Sequence, residues 1–321
     1  MDAILESSAR SMDDCTIRQA LLAQELLVGL GCPQKYINPK FFYDERGSQL
    51  FDQITTLPEY YPTRTEISIL KANATAIADC VDSVPVLIEP GAGNCSKVRY
   101  LLESVRPAAY LPQDISADFL YQTAGDLNRL YPWLDVYPLI GDFSNGIDLP
   151  NSLPGGRRVV FYPGSTIGNF EPPLAIKFLR SMRKLVGSDG GLIIGVDLQK
   201  DPDILNAAYN DAAGVTAEFN RNILENVNSI LGCDIAIGNF SHHAFYNTDK
   251  HRIEMHLISE ESQKIKCNDT HLHFSAGEAI HTEYSYKYTE QSFARLAREA
   301  DFNVRQTWLD DDGLFSVHYL D

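Results

Sequence analysis

Apolar residues recur at helical spacing at Ile17, Leu21, Leu22, Leu26, Leu27 and Leu30, and the run is closed by Gly31 and Pro33. Glycine and proline just past a periodic run are stop signals, so a helix is predicted over 17–31, behind a polar, frayed stretch over 1–16. From about residue 64 the rhythm becomes an alternation of amphipathic segments and short apolar runs. Helices are predicted over 64–80, 96–105, 116–130 and 171–186, and strands over 84–89, 107–113, 134–139, 157–162 and 190–196. Strands separated by helices at this spacing build a parallel, doubly wound sheet, whose ligands sit at the carboxyl ends of the strands. One more helix over 290–300 and strands over 304–309 and 314–319 follow.

Two stretches break the alternation. Between 40 and 66 aromatic and polar residues mix without a period, in Lys40-Phe-Phe-Tyr-Asp-Glu-Arg-Gly-Ser and in Leu57-Pro-Glu-Tyr-Tyr-Pro-Thr-Arg-Thr-Glu66. The stretch reads as a packed surface loop with aromatic anchors, dense in groups that both stack and hydrogen-bond. Thr63 and Glu66 have the spacing of a capping box at the start of the next helix. Between 200 and 287, helices over 202–211 and 216–230 are followed by strands. Alternation puts Ile253, Met255 and Leu257 on one strand face; further on, Glu283, Ser285 and Lys287 share one face, and Thr282, Tyr284, Tyr286 and Tyr288 the other. A carboxylate and a hydroxyl two residues apart point the same way, into a pocket or into solvent.

Charge narrows the function. The chain of 321 residues carries a net charge of −16, which argues against a nucleic-acid partner because a basic face is needed to neutralise phosphates. The acidity reads as solubility. No apolar run approaches the length of a membrane span, and Met1-Asp-Ala-Ile-Leu-Glu lacks a secretory signal's basic region and long apolar core. Cys15, Cys32, Cys80, Cys95, Cys233 and Cys267 are scattered with no C-x-x-C pair, so free thiols in a reducing cytoplasm are expected. His271 and His273 share a strand face and His242 and His243 are adjacent, but no acid or thiol joins them at ligand spacing, and no metal site is expected. Gly164-Ser-Thr-Ile-Gly lacks the G-x-S-x-G elbow of a serine nucleophile.

The richest chemistry lies in Val84-Pro-Val-Leu-Ile-Glu-Pro-Gly-Ala-Gly-Asn-Cys-Ser-Lys. An apolar strand ends in an acid, Glu89, and two glycines, Gly91 and Gly93, precede a helix. The dinucleotide pattern G-x-G-x-x-G is broken at Ser96. Acid-x-Gly-x-Gly is the form class I methyltransferases use for S-adenosylmethionine (SAM). Asp114 closes the next strand, where a carboxylate accepts both hydroxyls of a ribose, in NAD as well as in SAM. Asp142 closes the third, placed to accept from an adenine amino group with Phe143 against the ring. Together these favour SAM. Each aspartate also suits the N-cap of the helix that follows.

The chain is similar to the histidine-specific N-alpha-methyltransferases of ergothioneine biosynthesis. The matching segments are Phe42-Tyr-Asp, Gly47-Ser, Leu50-Phe-Asp-Gln-Ile, Leu57 to Glu66, Gly141-Asp-Phe, Gly164-Ser-Thr-Ile-Gly-Asn169, Asp211-Ala-Ala-Gly-Val-Thr216, Phe219-Asn-Arg-Asn222, Arg252-Ile-Glu-Met255, Phe274-Ser-Ala-Gly-Glu278 and Thr282-Glu283. The resemblance implies a class I SAM-dependent methyltransferase fold, a Rossmann-like doubly wound sheet over 64–199 and 288–321. It also implies a smaller α+β substrate-binding domain over 17–63 and 200–287. It further implies transfer of three methyl groups from SAM to the α-amino nitrogen of L-histidine, giving hercynine. Gly91, Lys97, Asp114, Asp142 and Phe143 match cofactor positions, and Gly164 lies near the reacting centre. Tyr60, Asn169 and Tyr209 match binders of the amino acid head, Glu283 and Ser285 partners of the imidazole, and Met255 a pocket wall. Tyr43 matches a hydroxyl beside the amine, making Tyr43 and Asn169 the catalytic pair. Pro90 and Ala92 depart from the family form of the loop and stiffen it.

A cytoplasmic monomer acting on free L-histidine, without membrane or nucleic acid, is the expectation. The alternatives are the same chemistry on another amino acid or small amine, a silent SAM- or nucleotide-binding module, and a nicotinamide-dependent dehydrogenase.

Overall fold

The computed structural model describes residues 17, 19–143, 146–268 and 270–321. The stretch expected to be frayed, 1–16, and Cys15 within it lie outside the described residues. The chain forms two compact units: one from residues 54–209, 246–253 and 284–321, the other from residues up to 53, 210–245 and 254–283. The expected boundaries at 63/64, 199/200 and 287/288 differ from these. The first unit takes in the turn before its first helix, the helix after its fourth long strand and the end of the strand that carries Glu283 and Ser285.

The first unit is built on one large sheet. Its parallel strands are β2 (Val86–Pro90), β3 (Ala109–Asp114), the short pieces β4 (Asp135–Val136) and β5 (Leu139–Ile140), β6 (Arg158–Tyr162), β7 (Gly191–Asp197) and β13 (Val304–Leu309); β14 (Phe315–Leu320) alone runs the other way, antiparallel to both β7 and β13. The order is β13-β14-β7-β6-β2-β3-β4, with β5 beside β3. Strand β2 is the switch point: the chain winds outward through β3 on one side and through β6 and β7 on the other. The strand expected over 134–139 is two pieces, because Pro138 lacks the N–H a ladder needs.

Helices α3 (Tyr61–Val81), α4 (Arg99–Val105), α5 (Ala117–Leu130), α6 (Pro172–Val186), α7 (Pro202–Tyr209) and α9 (Glu290–Glu299) belong to this unit. Ile69, Leu70, Ile77 and Leu101 meet Leu87, Tyr110 and Tyr319 in one apolar core. Phe178, Leu179, Phe293 and Phe302 meet Ile88, Val160 and Ile194 in a second. The interiors of β2, β3, β6, β7 and β14 are buried between these cores, as a sheet covered on both faces requires, while the edge strand β13 buries only Trp308. The capping box expected at Thr63 and Glu66 is absent. Helix α3 starts two residues earlier, with Pro62 in its first turn and Tyr60 at the N-cap, and Glu66 is buried and engaged elsewhere.

In the second unit, residues 19–31 are helical (α1), as their spacing predicts. The 40–56 stretch is largely helix where a loop was expected: a 3₁₀ turn over Pro39–Phe42 leads into α2 (Glu45–Ile54). A Cβ at Gly47 would fall 1.7 Å from the Phe42 carbonyl oxygen, so the turn and helix pack this closely only around glycine. The aromatic anchors do exist: Phe42 stacks on Phe219 at 4.5 Å, in helix α8 (Val215–Leu231). Asn222 of the same helix donates to Asp44 at 2.8 Å, and Asp211 accepts from the Val215 and Thr216 amides at its start. Much of the Phe219-Asn-Arg-Asn and Asp211–Thr216 motifs is therefore scaffold.

A sheet of order β1-β12-β9-β8 contains β1 (Lys35–Tyr36), β8 (Phe240–Asn247), β9 (Arg252–Ser259) and β12 (Ala279–Tyr286), and β10 (Gln263–Cys267) pairs with β11 (Thr270–Phe274) as a hairpin. His271 and His273 share the exposed face of β11, opposite Lys266 and Lys264. The cysteine expectation is corrected. Cys233 and Cys267 form a disulfide, while Cys32, Cys80 and Cys95 are free thiols. A bridge between the turn after α8 and the end of β10 aligns two cysteines 34 residues apart, which sequence spacing does not reveal.

Candidate active site

The carboxyl ends of β2, β3 and β6 carry most of the cofactor positions. Gly91 has a φ of +67°, and a Cβ there would come to 3.1 Å from the Phe143 ring, so glycine serves both the turn and the close approach. The Ala92 amide donates to the Gln113 carbonyl at 2.9 Å, tying the loop to β3. Asp114 accepts from the Gly93 amide at 2.9 Å and from the Ser116 amide at 3.1 Å. The carboxylate thus satisfies a helix start and clamps the glycine turn while remaining half-buried. Phe143 meets Tyr162 and Phe178 edge-on, each at 5.9 Å, with half-buried Asp142 beside it in the chain.

Glu89, the acid of the motif, is 2% exposed and accepts from the Tyr110 hydroxyl. Burial pushes its carboxyl up to about 8, against the Tyr110 bond and the Lys97 charge. Burial thus favours its protonated form at pH 7, and of the two acids Asp114 is the more accessible.

Beyond β6 the chain bends sharply. Gly164 has a φ of +84° and Ser165 a φ of 57°, two left-handed residues in succession. For serine this conformation costs on the order of 1 kcal/mol. It is held by the Asp197 amide donating to Ser165 Oγ at 2.9 Å and by the Gly168 amide donating to the Ser165 carbonyl at 2.9 Å. The bend leads to Asn169 at the end of a 3₁₀ turn, half-buried, whose side-chain amide makes no hydrogen bond among the described residues.

Glu66 was missed by sequence reasoning. It is 1% exposed, pairs with Lys97 at 2.6 Å and accepts from the Gly164 amide at 2.9 and 3.0 Å. One carboxylate fixes the lysine expected at the cofactor and the glycine expected at the reacting centre. A Cβ at Gly195 would lie 2.0 Å from Glu66 Oε1, so a strand glycine makes the room. The signal was the charge of Glu66 within the long 57–66 motif, read instead as a cap.

Three substrate positions meet in the first unit. Tyr60 lies edge-on to Tyr209 at 6.3 Å, and the Tyr209 hydroxyl donates to Ser285 Oγ at 2.9 Å. In the second unit, Tyr43 sits edge-on to Phe51 and Phe219 at 5.8 and 6.0 Å. Met255 is buried on β9, with its carbonyl accepting from Thr282 at 3.1 Å, and Glu283 lies on β12. Glu283 and Ser285 are 8% and 4% exposed, so their shared strand face is not a solvated one. Sequence reasoning also left Asp197, Lys200 and Lys287 without roles; all three are buried together.

The residues present fit SAM: a pinned carboxylate for the ribose at Asp114, an aromatic wall at Phe143, a glycine turn open to close approach, and an oriented ammonium at Lys97. A parallel sheet switching at β2, with an antiparallel β14 inserted between β7 and β13 and this site at its carboxyl edge, defines a class I SAM-dependent methyltransferase. The model of a family described as "Histidine-specific methyltransferase, SAM-dependent" matches residues 22–321, and the chain belongs to that family. The histidine N-alpha-methyltransferase of Mycolicibacterium smegmatis is 38% identical over 303 residues, spanning 92% of this chain and 93% of that protein. That of Mycobacterium tuberculosis is 37% identical over 303 residues, with the same coverage of 92% and 93%. Ergothioneine biosynthesis protein 1 of Neurospora crassa is 32% identical over 281 residues, covering 83% of this chain and 31% of that protein.

Proposed function

We propose that the chain transfers three methyl groups from SAM to the α-amino nitrogen of L-histidine, giving hercynine for ergothioneine biosynthesis. The observation that carries the substrate is the buried polar face of β12, where Glu283 and Ser285 are 8% and 4% exposed. A buried polar face suits a side chain with ring nitrogens to bond, and a site built on hydrogen bonds rejects ligands that cannot make them.

SAM supplies a methyl group on a sulfonium, open to in-line attack by a neutral amine. The 54–209, 246–253 and 284–321 unit takes the cofactor role, through Gly91, Lys97, Asp114, Asp142, Phe143 and Gly164. Tyr60, Asn169 and Tyr209 hold the amino acid head; Asn169 accepts from the amine and aims its lone pair, and such positioning is a large part of catalysis. Tyr43 is the hydroxyl that relays to water the proton leaving the amine before each transfer. Glu283 accepts an imidazole N–H, Ser285 serves the other ring nitrogen, and Met255 walls the ring. In each transfer the amine lone pair forms the N–C bond as the C–S pair returns to sulfur, and three protons leave over three rounds.

We take the enzyme to act as a cytoplasmic monomer on a free small molecule. The net charge of −16 supports independence from nucleic acid, and among the described residues no helix is long and apolar enough to cross a membrane. Mass spectrometry after incubation with SAM and the twenty amino acids tests the reading. A histidine heavier by three methyl groups is expected; methylation of a different amino acid overturns the roles of Glu283 and Ser285.

A further inference from the structure

Behind Ser285 lies a buried charged cluster within the sheet unit. Asp197, at the end of β7, is 1% exposed. Its Oδ2 meets Lys287 Nζ at 2.7 Å, its Oδ1 meets Lys200 Nζ at 2.6 Å, and the Tyr61 hydroxyl donates to both oxygens at 2.8 Å. Burial opposes its ionisation, but the ammonium groups of Lys287 and Lys200 outweigh that and hold the carboxyl below the ordinary range. One carboxylate therefore faces two ammonium groups, leaving a positive charge in excess.

Lys287 spends its other donors on the substrate positions. Its Nζ donates to Ser285 Oγ at 2.8 Å and to the Tyr209 hydroxyl at 3.3 Å. With Asp197 these occupy all three protons of the ammonium. Ser285 Oγ also accepts from Tyr209, at 2.9 Å. A hydroxyl has two lone pairs and one proton; here both lone pairs are taken, and the proton is left for a third partner. Ser285 is thereby set as a donor.

We infer that Lys287 is a positioning residue that sets the protonation state of the substrate: by holding Ser285 as a donor, it makes the site take neutral imidazole through its unprotonated nitrogen and reject imidazolium. The inference rests on the assignment of Ser285 to the imidazole. An imidazolium carries N–H groups at both ring nitrogens and offers Ser285 no acceptor; the Glu283 carboxylate at the other nitrogen offsets the cluster's charge, so the discrimination rests on Ser285 being held as a donor. The groups around Lys287 are Asp197 at the end of β7, Lys200 three residues past it, Tyr61 on α3, Tyr209 on α7, Tyr246 on β8 and Ser285 on β12, with Asp310 acting on Lys200. Asp197 is held low and Tyr61 and Tyr246 high, both chiefly by burial, and Lys200, pushed down to about 8 by burial, gains charge as the pH falls through that value and is protonated over most of the range below it.

Calorimetry of histidine binding to the enzyme saturated with S-adenosylhomocysteine, from pH 7.5 to 5.5, tests this. Free imidazole titrates near pH ~6.5, so wild-type Kd should rise about tenfold over that range. In Lys287→Met, Asp197 keeps Lys200 and Tyr61 as partners; the variant should bind histidine at least about tenfold more weakly at pH 7.5, with its pH dependence below about threefold. A variant that keeps the tenfold dependence overturns the inference alone. A wild type that binds a different amino acid and not histidine overturns the substrate reading beneath it. Should the variant fail to fold, 1,2,4-triazolylalanine answers with wild-type protein. Its ring is a far weaker base and stays neutral, so its Kd should be flat across the range. A tenfold rise for that ligand would mean that a protein group titrates, and would sink the idea.

Discussion

At the residue scale, burial sorts carboxylates into roles. Glu89, Asp114 and Glu66 all lie near the glycine turn, yet one is a buried acid bonded to Tyr110, one a half-buried clamp on Gly93, and one an ion-pair partner of Lys97. Of the three only Asp114 is half-buried, the access that the proposed ribose contact needs. On the substrate side, Glu283→Ala should weaken histidine binding by about 10- to 150-fold, since hydrogen bonds to charged groups are worth about 1.5–3 kcal/mol. Binding of S-adenosylhomocysteine should stay within about twofold, because Glu283 belongs to a different unit from Gly91 and Asp114. Calorimetry with both ligands checks this, and an equal loss for both would remove Glu283 from the imidazole. The glycine turn, Asp114, Asp142 and Phe143 were legible in the sequence because each sits next to the end of a strand that announces itself by an apolar run. Glu66 and Lys287 were not, because their charge partners Lys97 and Asp197 lie 31 and 90 residues away in sequence and a local pattern cannot pair charges over such separations.

At the element scale, helices and parallel strands followed their hydrophobic period, and the stretch around α2 did not. There the apolar positions are aromatic and the intervening ones charged, so composition spoke for a loop while tertiary packing on Phe219 imposed a helix. Strand β7 shows the reverse dependence, in which one missing side chain admits a neighbour's charge. Gly195→Ala would drive a methyl group into Glu66 Oε1, now 2.0 Å from that point. We expect a loss of about 1–3 kcal/mol in denaturant unfolding, together with weaker S-adenosylhomocysteine binding as Lys97 loses its partner. Unchanged affinity in a folded Gly195→Ala protein would uncouple Glu66 from the cofactor. The disulfide was invisible to spacing. Closing a 34-residue span is worth up to about 4 kcal/mol by chain entropy. The Cys233→Ser, Cys267→Ser double variant should therefore unfold at lower denaturant, and only the wild type should lose stability on adding a reductant.

At the scale of the whole molecule, acid stability has an identifiable source. His318, on β14, is 1% exposed, with Thr307 Oγ1 at 2.9 Å from one ring nitrogen and Ser316 Oγ at 2.8 Å from the other. Burial pushes its pKa down to about 4. In the unfolded chain the ring binds a proton below pH ~6.5, so its contribution to stability is complete above that pH and is lost as the pH falls toward 4. The loss is about 3 kcal/mol by pH 4. Denaturant titrations at pH 7 and 4.5 should show His318→Asn losing less stability on acidification than the wild type; equal losses would place the acid sensitivity elsewhere.

The backbone passes between the two compact units at 53/54, 209/210, 245/246, 253/254 and 283/284. Neither unit is a contiguous stretch of gene. No truncation isolates one, and no cut-and-paste exchange can graft a new recognition part onto the same methyl-transfer part as a cassette. The specificity of such a protein is open to revision one side chain at a time, at positions such as Glu283, Ser285 and Lys287, and closed to wholesale recombination.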